Sequence, residues 1–250
     1  MEAQIRSVNA VLFDLDDTLI DWSGQTLDGT GINRKHVGNV YLYLAERNFI
    51  LPPLDEFLLT FRECLINCWT EAKKTWSGVA FATVLQEMFL VLELDLSQIN
   101  IDHVLHAYDW QPVPGVVPYD DTLAVLQTLK SQGFKIGLIT NSMQPMWMRD
   151  IELETYGILP YLDVRVTSGD TGFMKPHTAI YNYALTELGV MADTAVFVGD
   201  RPANDIAGAN NAGMISVLMN PPHLDYELDG VVPDYTITQL SELLPILGIK

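Results

Sequence analysis

The feature of this chain that most restricts its fold is a regular alternation of short apolar runs with longer segments of helical periodicity. Six runs have the length and composition of buried strands, the last being the weakest: 10–13, 135–140, 163–167, 194–199, 214–219 and 235–238. Between and after them, apolar residues recur at helical spacing over 119–131, 146–156, 177–188, 203–212 and 239–247. Strands that alternate with helices of this length indicate a mostly parallel sheet covered on both faces. We therefore predict an α/β fold with a Rossmann-like, doubly wound core.

One connection interrupts this alternation, between the first strand and the helix that begins near residue 119. It is predicted to contain four helices, and it ends in the proline-rich segment "QPVPGVVP" at 111–118, which is typical of a stiff linker. The four helices are expected near 33–48, 54–74, 79–94 and 98–108. An unstructured loop of this length is uncommon inside a compact domain. We therefore predict an all-α cap domain at 21–114, inserted into an α/β core formed by 1–20 and 115–250.

Charge and composition exclude several classes of protein. The formal net charge is −18, from 32 acidic and 14 basic residues, whereas binding to nucleic acid or anionic membranes needs cationic patches. No run reaches the ~20 apolar residues that span a bilayer, and no signal peptide precedes the first strand. The two cysteines, Cys64 and Cys68, are too few for a disulfide framework and fit a reducing compartment. We expect a cytoplasmic monomer or homodimer that has neither nucleic acid nor a membrane as its partner.

Polar residues follow each of the first four predicted strands. These segments are "DLDD", "TNS", "SGDTGFMKP" and "GDRPAND". In open α/β sheets ligands bind beyond the carboxyl ends of the strands, so these segments are candidates for one site. Asp14 and Asp16 are two positions apart and share a face of an extended segment, and Asp200 would reach the same crevice. Neighbouring carboxylates tolerate one another around a divalent cation, and hard oxygen ligands suit Mg²⁺.

Three further residues at these strand ends have weaker signals when they are read singly. Thr140 and Asn141 could hold phosphate oxygens, although such residues usually only shape a turn. Lys175 enters the first turn of a predicted helix, where its charge does not complement the helix dipole. A nearby anion would explain that position. Asp17 is interpreted as a turn or capping residue.

Taken together, the motifs resemble those of a known family. "DLDDTL", "ITNS", "KP" after the third strand and "GDRPANDIAGANNAG" occur in the order typical of the haloacid dehalogenase (HAD) superfamily, whose members are mostly phosphatases. The resemblance covers the whole core, and the helical insertion after the first motif is similar to the branch with an α-helical cap. It implies Mg²⁺-dependent hydrolysis of a small phosphorylated metabolite.

Three alternatives stay open on the same scaffold. A phosphomutase is ranked lower, because its first motif more often has glycine where this chain has Asp17. A dehalogenase is disfavoured, because those members of the superfamily lack the acidic residue found here as Asp16 and need no Mg²⁺. A catalytically silent binding protein is disfavoured, because such a protein would have no chemical need to keep all four motifs.

The resemblance also implies roles for individual residues. Asp14 would be the nucleophile that forms an aspartyl-phosphate. Asp16 would protonate the leaving oxygen and then accept a proton from the hydrolytic water. Thr140 and the backbone of Asn141 would bind the phosphoryl oxygens, while Lys175 would offset the charge on both nucleophile and phosphate.

The implied metal ligands come from two of the four motifs. Mg²⁺ would be held by the carboxylates of Asp14 and Asp200 and by the backbone carbonyl of Asp16. Asp205 would act through a water molecule or by orienting Lys175.

Substrate choice is expected to depend on the cap and on the segment after the second strand. That segment, "MQPMWM" at 143–148, is unusually apolar, which fits either core packing or a wall between the site and the cap. Several cap residues could contact an anion or stack on a ring, although each is more often an ordinary surface or core residue: Arg34, Lys35, His36, Arg62, Lys73, Lys74, Trp22, Trp69 and Trp76.

Overall fold

The structure, a computed structural model, describes residues 8–249. The outermost parts of the predicted core, residues 1–7 and 250, lie outside the described residues, as does most of the segment searched for a signal peptide. Within residues 8–249 the strands are β1 Ala10–Phe13, β2 Ile20–Asp21, β3 Val117–Pro118, β4 Lys135–Thr140, β5 Val164–Thr167, β6 Ala195–Gly199, β7 Ile215–Met219 and β8 Tyr235–Ile237. The helices are α1 Gly29–Ala45, α2 Leu54–Thr75, α3 Phe81–Val91, α4 Ile101–Tyr108, α5 Thr122–Ser131, α6 Met146–Thr155, α7 Ser168–Thr171, α8 Thr178–Leu188, α9 Ala207–Ala212 and α10 Leu243–Ile246.

Six strands form one parallel sheet, in the order β5-β4-β1-β6-β7-β8. The predicted α/β fold is confirmed, and the six predicted strands agree with the observed bounds to within one residue. From β1 the chain adds β4 and β5 on one side, then crosses back to add β6, β7 and β8 on the other. The order therefore reverses next to β1, and such a reversal opens a crevice at the carboxyl ends of the strands.

Both faces of the sheet are covered. Val11 and Phe13 of β1 pack into a cluster with α5 and α6, whereas Ala10 and Leu12 face α8 and α9. This alternation follows from the two-residue period of a strand, so a central strand that is buried on both faces must be apolar throughout. The first cluster continues into helices α1–α4, which lie within the segment predicted as a cap. No helix among residues 8–249 has the length and apolar character needed to cross a bilayer.

Some predicted helix boundaries were wrong. The first insert helix begins at Gly29 rather than 33, because the Asp28 carboxylate accepts a hydrogen bond from Gly31 N at 2.8 Å and caps it. The helix predicted over 203–212 is a π-helical turn at Pro202–Ile206 followed by α9. The last one, predicted over 239–247, is a short 3₁₀ turn followed by α10.

The two segments that flank the predicted insert run side by side. Strands β2 and β3, which the sequence did not predict, pair antiparallel, and Thr26 N donates to Pro114 O at 2.9 Å. Gly24 and Gly115 are in close contact, because a Cβ atom on Gly115 would lie 1.9 Å from the carbonyl oxygen of Gly24. Gly115 also has φ +89°, a conformation that favours glycine. The predicted linker at 111–118 is therefore tied to the outgoing chain.

Candidate active site

The carboxyl ends of four strands or their following loops contribute to one cavity of about 260 Å³. Asp14 follows β1, Thr140 ends β4, and Asp200 follows β6, while Lys175 lies after β5 and α7. The structure brings together all seven residues that the sequence analysis assigned to a site: Asp14, Asp16, Thr140, Asn141, Lys175, Asp200 and Asp205.

Lys175 lines this cavity and is 1% exposed. Its Nζ atom is 2.8 Å from Asp14 Oδ1 and 2.7 Å from Asp205 Oδ1. Burial alone would lower the pKa of Lys175, but these two carboxylates outweigh burial and raise it, so the ammonium stays charged. The Asn141 side chain holds the backbone of Lys175 by donating to its carbonyl at 2.9 Å and accepting from its N–H at 2.7 Å. The amide of Asn141 is thus occupied, which fits the prediction that its backbone would contact phosphate.

The loop after β6 places two buried carboxylates in the cavity. Asp205 accepts from Arg201 N at 2.8 Å through Oδ2, and its other oxygen contacts Lys175. A Cβ atom on Gly199 would lie 2.5 Å from the Asp205 side chain, so glycine is needed where β6 ends. Asp200 receives a hydrogen bond from Thr18 Oγ1 at 3.5 Å and lies 3.1 Å from Arg201 Nε.

Three buried carboxylates form a candidate cation site. Asp14, Asp200 and Asp205 each offer an oxygen, and these oxygens lie within 4.8 Å of one another. Burial raises the pKa of Asp200 to about 9, reinforced by Asp205 and Asp14. Burial also raises the pKa of Asp14 to about 7; Lys175 opposes this shift, and Asp205 and Asp16 add to it. If all three carboxyls were ionised, the cluster would carry more negative charge than Lys175 balances. A hard divalent cation such as Mg²⁺ fits these oxygen donors and would favour their ionised forms.

Asp16 is held by two donors that bind the same oxygen. Trp22 Nε1 and Arg149 Nη2 each lie 2.8 Å from Asp16 Oδ1. Arg149 is buried and its Nε lies 3.0 Å from Oε2 of Glu152, which is also buried. Burial raises the pKa of Glu152 to about 7, although Arg149 acts in the opposite direction. Trp22, suggested as a residue that could stack on a ring, thus makes a hydrogen bond to the candidate acid.

The sequence analysis missed Arg149 and Glu152. Helix α6 buries Met148, Arg149, Glu152 and Leu153, so two opposite charges lie three residues apart on an otherwise apolar face. A charged pair inside an apolar stripe is a signal that a polar partner lies elsewhere in the fold, because unpaired charges are costly to bury. That signal was present in "MWMRDIELE".

Thr140 supplies a hydroxyl group without a partner. Its Oγ1 atom is buried and makes no hydrogen bond within residues 8–249, yet the residue lines the cavity. Buried hydroxyls are nearly always hydrogen-bonded, so a ligand oxygen would satisfy this one.

The segment predicted as a cap contributes little to this cavity. Of the nine cap candidates, all within the described residues, only Trp69 and Lys73 line it. Arg34 pairs instead with Asp55 at the surface. His36 is buried, with Nδ1 3.1 Å from Tyr108 O.

The apolar segment 143–148 is divided between the core and a groove next to it. Met148 is fully buried in the core, whereas Met143 and Gln144 line a groove between the core and the helices α1–α4. The carbonyl of Met143 also accepts from Phe81 N at 2.8 Å, which ties this loop to the start of α3.

Comparisons with known proteins agree with this geometry. The family model of the haloacid dehalogenase-like hydrolases matches residues 8–213. The glyceraldehyde 3-phosphate phosphatase of Methanocaldococcus jannaschii is 30% identical over 245 residues, which cover 96% of this chain and 97% of that protein. An HAD phosphatase from Thermococcus onnurineus has a similar structure, with a TM-score of 0.60, 28% identity and coverage of 96% and 98%. A 2-haloacid dehalogenase from Pseudomonas syringae pv. Tomato gives a TM-score of 0.64, 26% identity and the same coverage of both chains.

Proposed function

Because the chain belongs to the haloacid dehalogenase-like hydrolases, as its motifs predicted, we propose that it is a Mg²⁺-dependent phosphatase of small phosphorylated metabolites. The observation that carries this proposal is Lys175, buried between Asp14 and Asp205 at the strand ends. A lysine in that position can attract a phosphate dianion to a nucleophilic carboxylate in a protein whose net charge repels anions.

In the first step the phosphate ester is held by Lys175, the free hydroxyl of Thr140 and the backbone of Asn141. A carboxylate oxygen of Asp14 attacks phosphorus, and the bond between phosphorus and the alcohol oxygen breaks. Asp16 gives its proton to that oxygen, so the alcohol leaves neutral. The product on the enzyme is an aspartyl-phosphate at Asp14.

In the second step Asp16, now ionised, takes a proton from a water molecule. The water oxygen attacks phosphorus, the acyl-phosphate bond breaks, and inorganic phosphate and the Asp14 carboxylate are released. Arg149 and Trp22 both donate to Oδ1 of Asp16, so we assign proton transfer to Oδ2. The two donors fix the direction of that side chain throughout the cycle.

The carboxylates of Asp14 and Asp200 and the carbonyl of Asp16 would hold Mg²⁺, with Asp205 beside them. When bound, the metal supplies positive charge that lets an anionic nucleophile meet an anionic phosphate. Asp205 would also orient Lys175, because its Oδ1 atom lies 2.7 Å from Lys175 Nζ.

We further propose that residues 21–114 act as a cap over the core formed by 1–20 and 115–250. Trp69 and Lys73 of α2 already line the catalytic cavity. A cap that closes would exclude bulk water from the acyl-phosphate and would open to release product.

The test is phosphate release from glyceraldehyde 3-phosphate and other small phosphate esters, measured with Mg²⁺ and with a chelator. Asp14→Asn should reduce kcat by about three orders of magnitude or more, because it removes the nucleophile. Asp17→Asn is the matched control, since Asp17 lies in the same motif but its side chain accepts a hydrogen bond from Trp22 N at 3.3 Å and does not line the cavity. It should retain most of the activity.

Other outcomes would select the alternatives. Equal turnover by Asp14→Asn would reject the nucleophile, and halide release from a haloacid would support a dehalogenase. Transfer of the phosphoryl group back to the substrate, without phosphate release, would indicate a phosphomutase. Absence of turnover for every substrate would support a binding protein.

A further inference from the structure

A second cavity lies between helices α1–α4 and the loop after β4, and its volume is about 480 Å³. We call it the apolar groove; its members include Phe61, Ile66, Trp69, Phe81, Tyr108 and Met143. Trp69 also lines the catalytic cavity, so the two spaces share a wall. The volume lies within the range of roughly 300–1,000 Å³ that is typical of small-molecule sites.

The floor of the apolar groove is a packed aromatic surface. The ring centroids of Phe81 and Tyr108 are 4.7 Å apart, and those of Phe61 and Phe81 are 6.0 Å apart, both in edge-to-face geometry. These three side chains are almost fully buried and belong to the main core cluster. A rigid, preformed apolar floor binds hydrocarbon without a large ordering cost.

Charge separates the two cavities sharply. Among residues 8–249, thirteen line the apolar groove, and none of the thirteen carries a formal charge. The catalytic cavity, by contrast, is lined by four carboxylates and three cationic side chains: Asp14, Asp16, Asp200, Asp205, Lys73, Lys175 and Arg201. A substrate that fills both spaces would be anionic at one end and apolar at the other.

We propose that the preferred substrate is a phosphate monoester of an alcohol with an apolar body, which lies in the apolar groove while the phosphoryl group meets Asp14. This inference rests on the proposed phosphatase function. It departs from the substrate named for the Methanocaldococcus jannaschii relative, since glyceraldehyde 3-phosphate has a short and polar organic part. Hydroxyl groups placed against the aromatic floor would lose hydrogen bonds to water without replacement.

The test uses a series of unbranched alkyl phosphates from ethyl to octyl, with glycerol 3-phosphate as the polar match of propyl phosphate. The leaving alcohols have nearly constant acidity along the alkyl series, so kcat/KM reports on binding of the chain. We expect kcat/KM to rise about fourfold for each methylene that enters the groove, until the groove is full. Propyl phosphate should exceed glycerol 3-phosphate.

Two matched variants assign the effect to this groove. Ile66 lies at its rim and is 52% exposed, whereas Leu59, in the same helix, is 55% exposed and does not line it. Ile66→Asp should flatten the dependence of kcat/KM on chain length. Leu59→Asp should retain the wild-type slope. Both sites are at the surface, so folding should survive either change.

The outcomes separate the two proposals. A flat or falling alkyl series, with glycerol 3-phosphate hydrolysed as well or better, overturns the inference and leaves the phosphatase function standing. A rising series that is identical in Ile66→Asp overturns the assignment to the groove. Failure to hydrolyse any ester of the series, glycerol 3-phosphate included, overturns both.

Discussion

Replacing Asp200 with asparagine is expected to stabilise the metal-free protein at neutral pH while abolishing Mg²⁺-dependent activity. Burial, with Asp205 and Asp14, raises the pKa of this carboxyl from 3.8 to about 9. Between these values the folded protein retains a proton that the unfolded chain has released, so the free energy of unfolding falls as pH rises. At pH 7 the loss is about 4 kcal/mol, because each pH unit above the unfolded pKa costs about 1.4 kcal/mol. The neutral amide introduced by Asp200→Asn would keep the shape of the side chain without this penalty.

The assay is urea unfolding of the wild type and Asp200→Asn in the presence of chelator, from pH 5 to pH 8.5. The stability difference should be about 2 kcal/mol at pH 5 and about 4 kcal/mol at pH 7, with the variant the more stable protein. Added Mg²⁺ should stabilise the wild type, because it binds the folded state, and should have little effect on the variant.

Asp163→Asn is a control that should change the free energy of unfolding in the opposite direction to Asp200→Asn. Burial acts to raise the pKa of Asp163, but Lys130 Nζ at 2.7 Å and Ile136 N at 2.8 Å outweigh it and lower the pKa. The charge of Asp163 therefore stabilises the folded state at neutral pH, and Asp163→Asn should lower the free energy of unfolding. The reasoning about Asp200 is refuted if Asp200→Asn is no more stable than wild type at pH 8, or if the difference does not change with pH.

Three further changes test other parts of the structure. Arg149→Met should lower the free energy of unfolding by about 3–5 kcal/mol in urea titrations, and adding Glu152→Leu should restore most of it; a double variant no better than the single one contradicts the buried pair. Lys175→Met should lower kcat by about a hundredfold or more and weaken inhibition by inorganic phosphate. Unchanged kinetics would reject the role assigned to Lys175. Gly115→Ala should raise urea sensitivity more than Gly133→Ala, which shares positive φ but has open space at its Cβ position; equal effects would argue against the close contact of the linkers.

The fold could be predicted because parallel strands buried on both faces must be apolar. In β4, "KIGLIT", only Lys135 is exposed, so the run stands out from the helices around it. Once the strands were placed, the site residues followed from topology, since carboxyl ends of parallel strands meet at one edge. Asp14, Thr140 and Asp200 were found in this way.

What escaped prediction depends on contacts between distant segments. The hydrogen bond from Arg149 to Asp16 joins residues 133 positions apart, and the local sequence of α6 does not indicate which residue Arg149 contacts. Strands β2 and β3 have two residues each, too short to show a period. The closeness of Asp205 to Asp14 and Asp200 also depends on distant contacts, because the turn at Pro202–Ile206 and the missing side chain at Gly199 bring its carboxylate there.

The pairing of β2 with β3 has a consequence for how proteins of this kind diversify. The outgoing strand β2 and the returning strand β3 are hydrogen-bonded to each other, so all that lies between them is topologically one long hairpin loop. The entropy of closing such a loop grows by only about 0.6 kcal/mol when its length doubles. Evolution, or an engineer, can therefore graft a different helical module onto the same two strands without rebuilding the machinery beneath it.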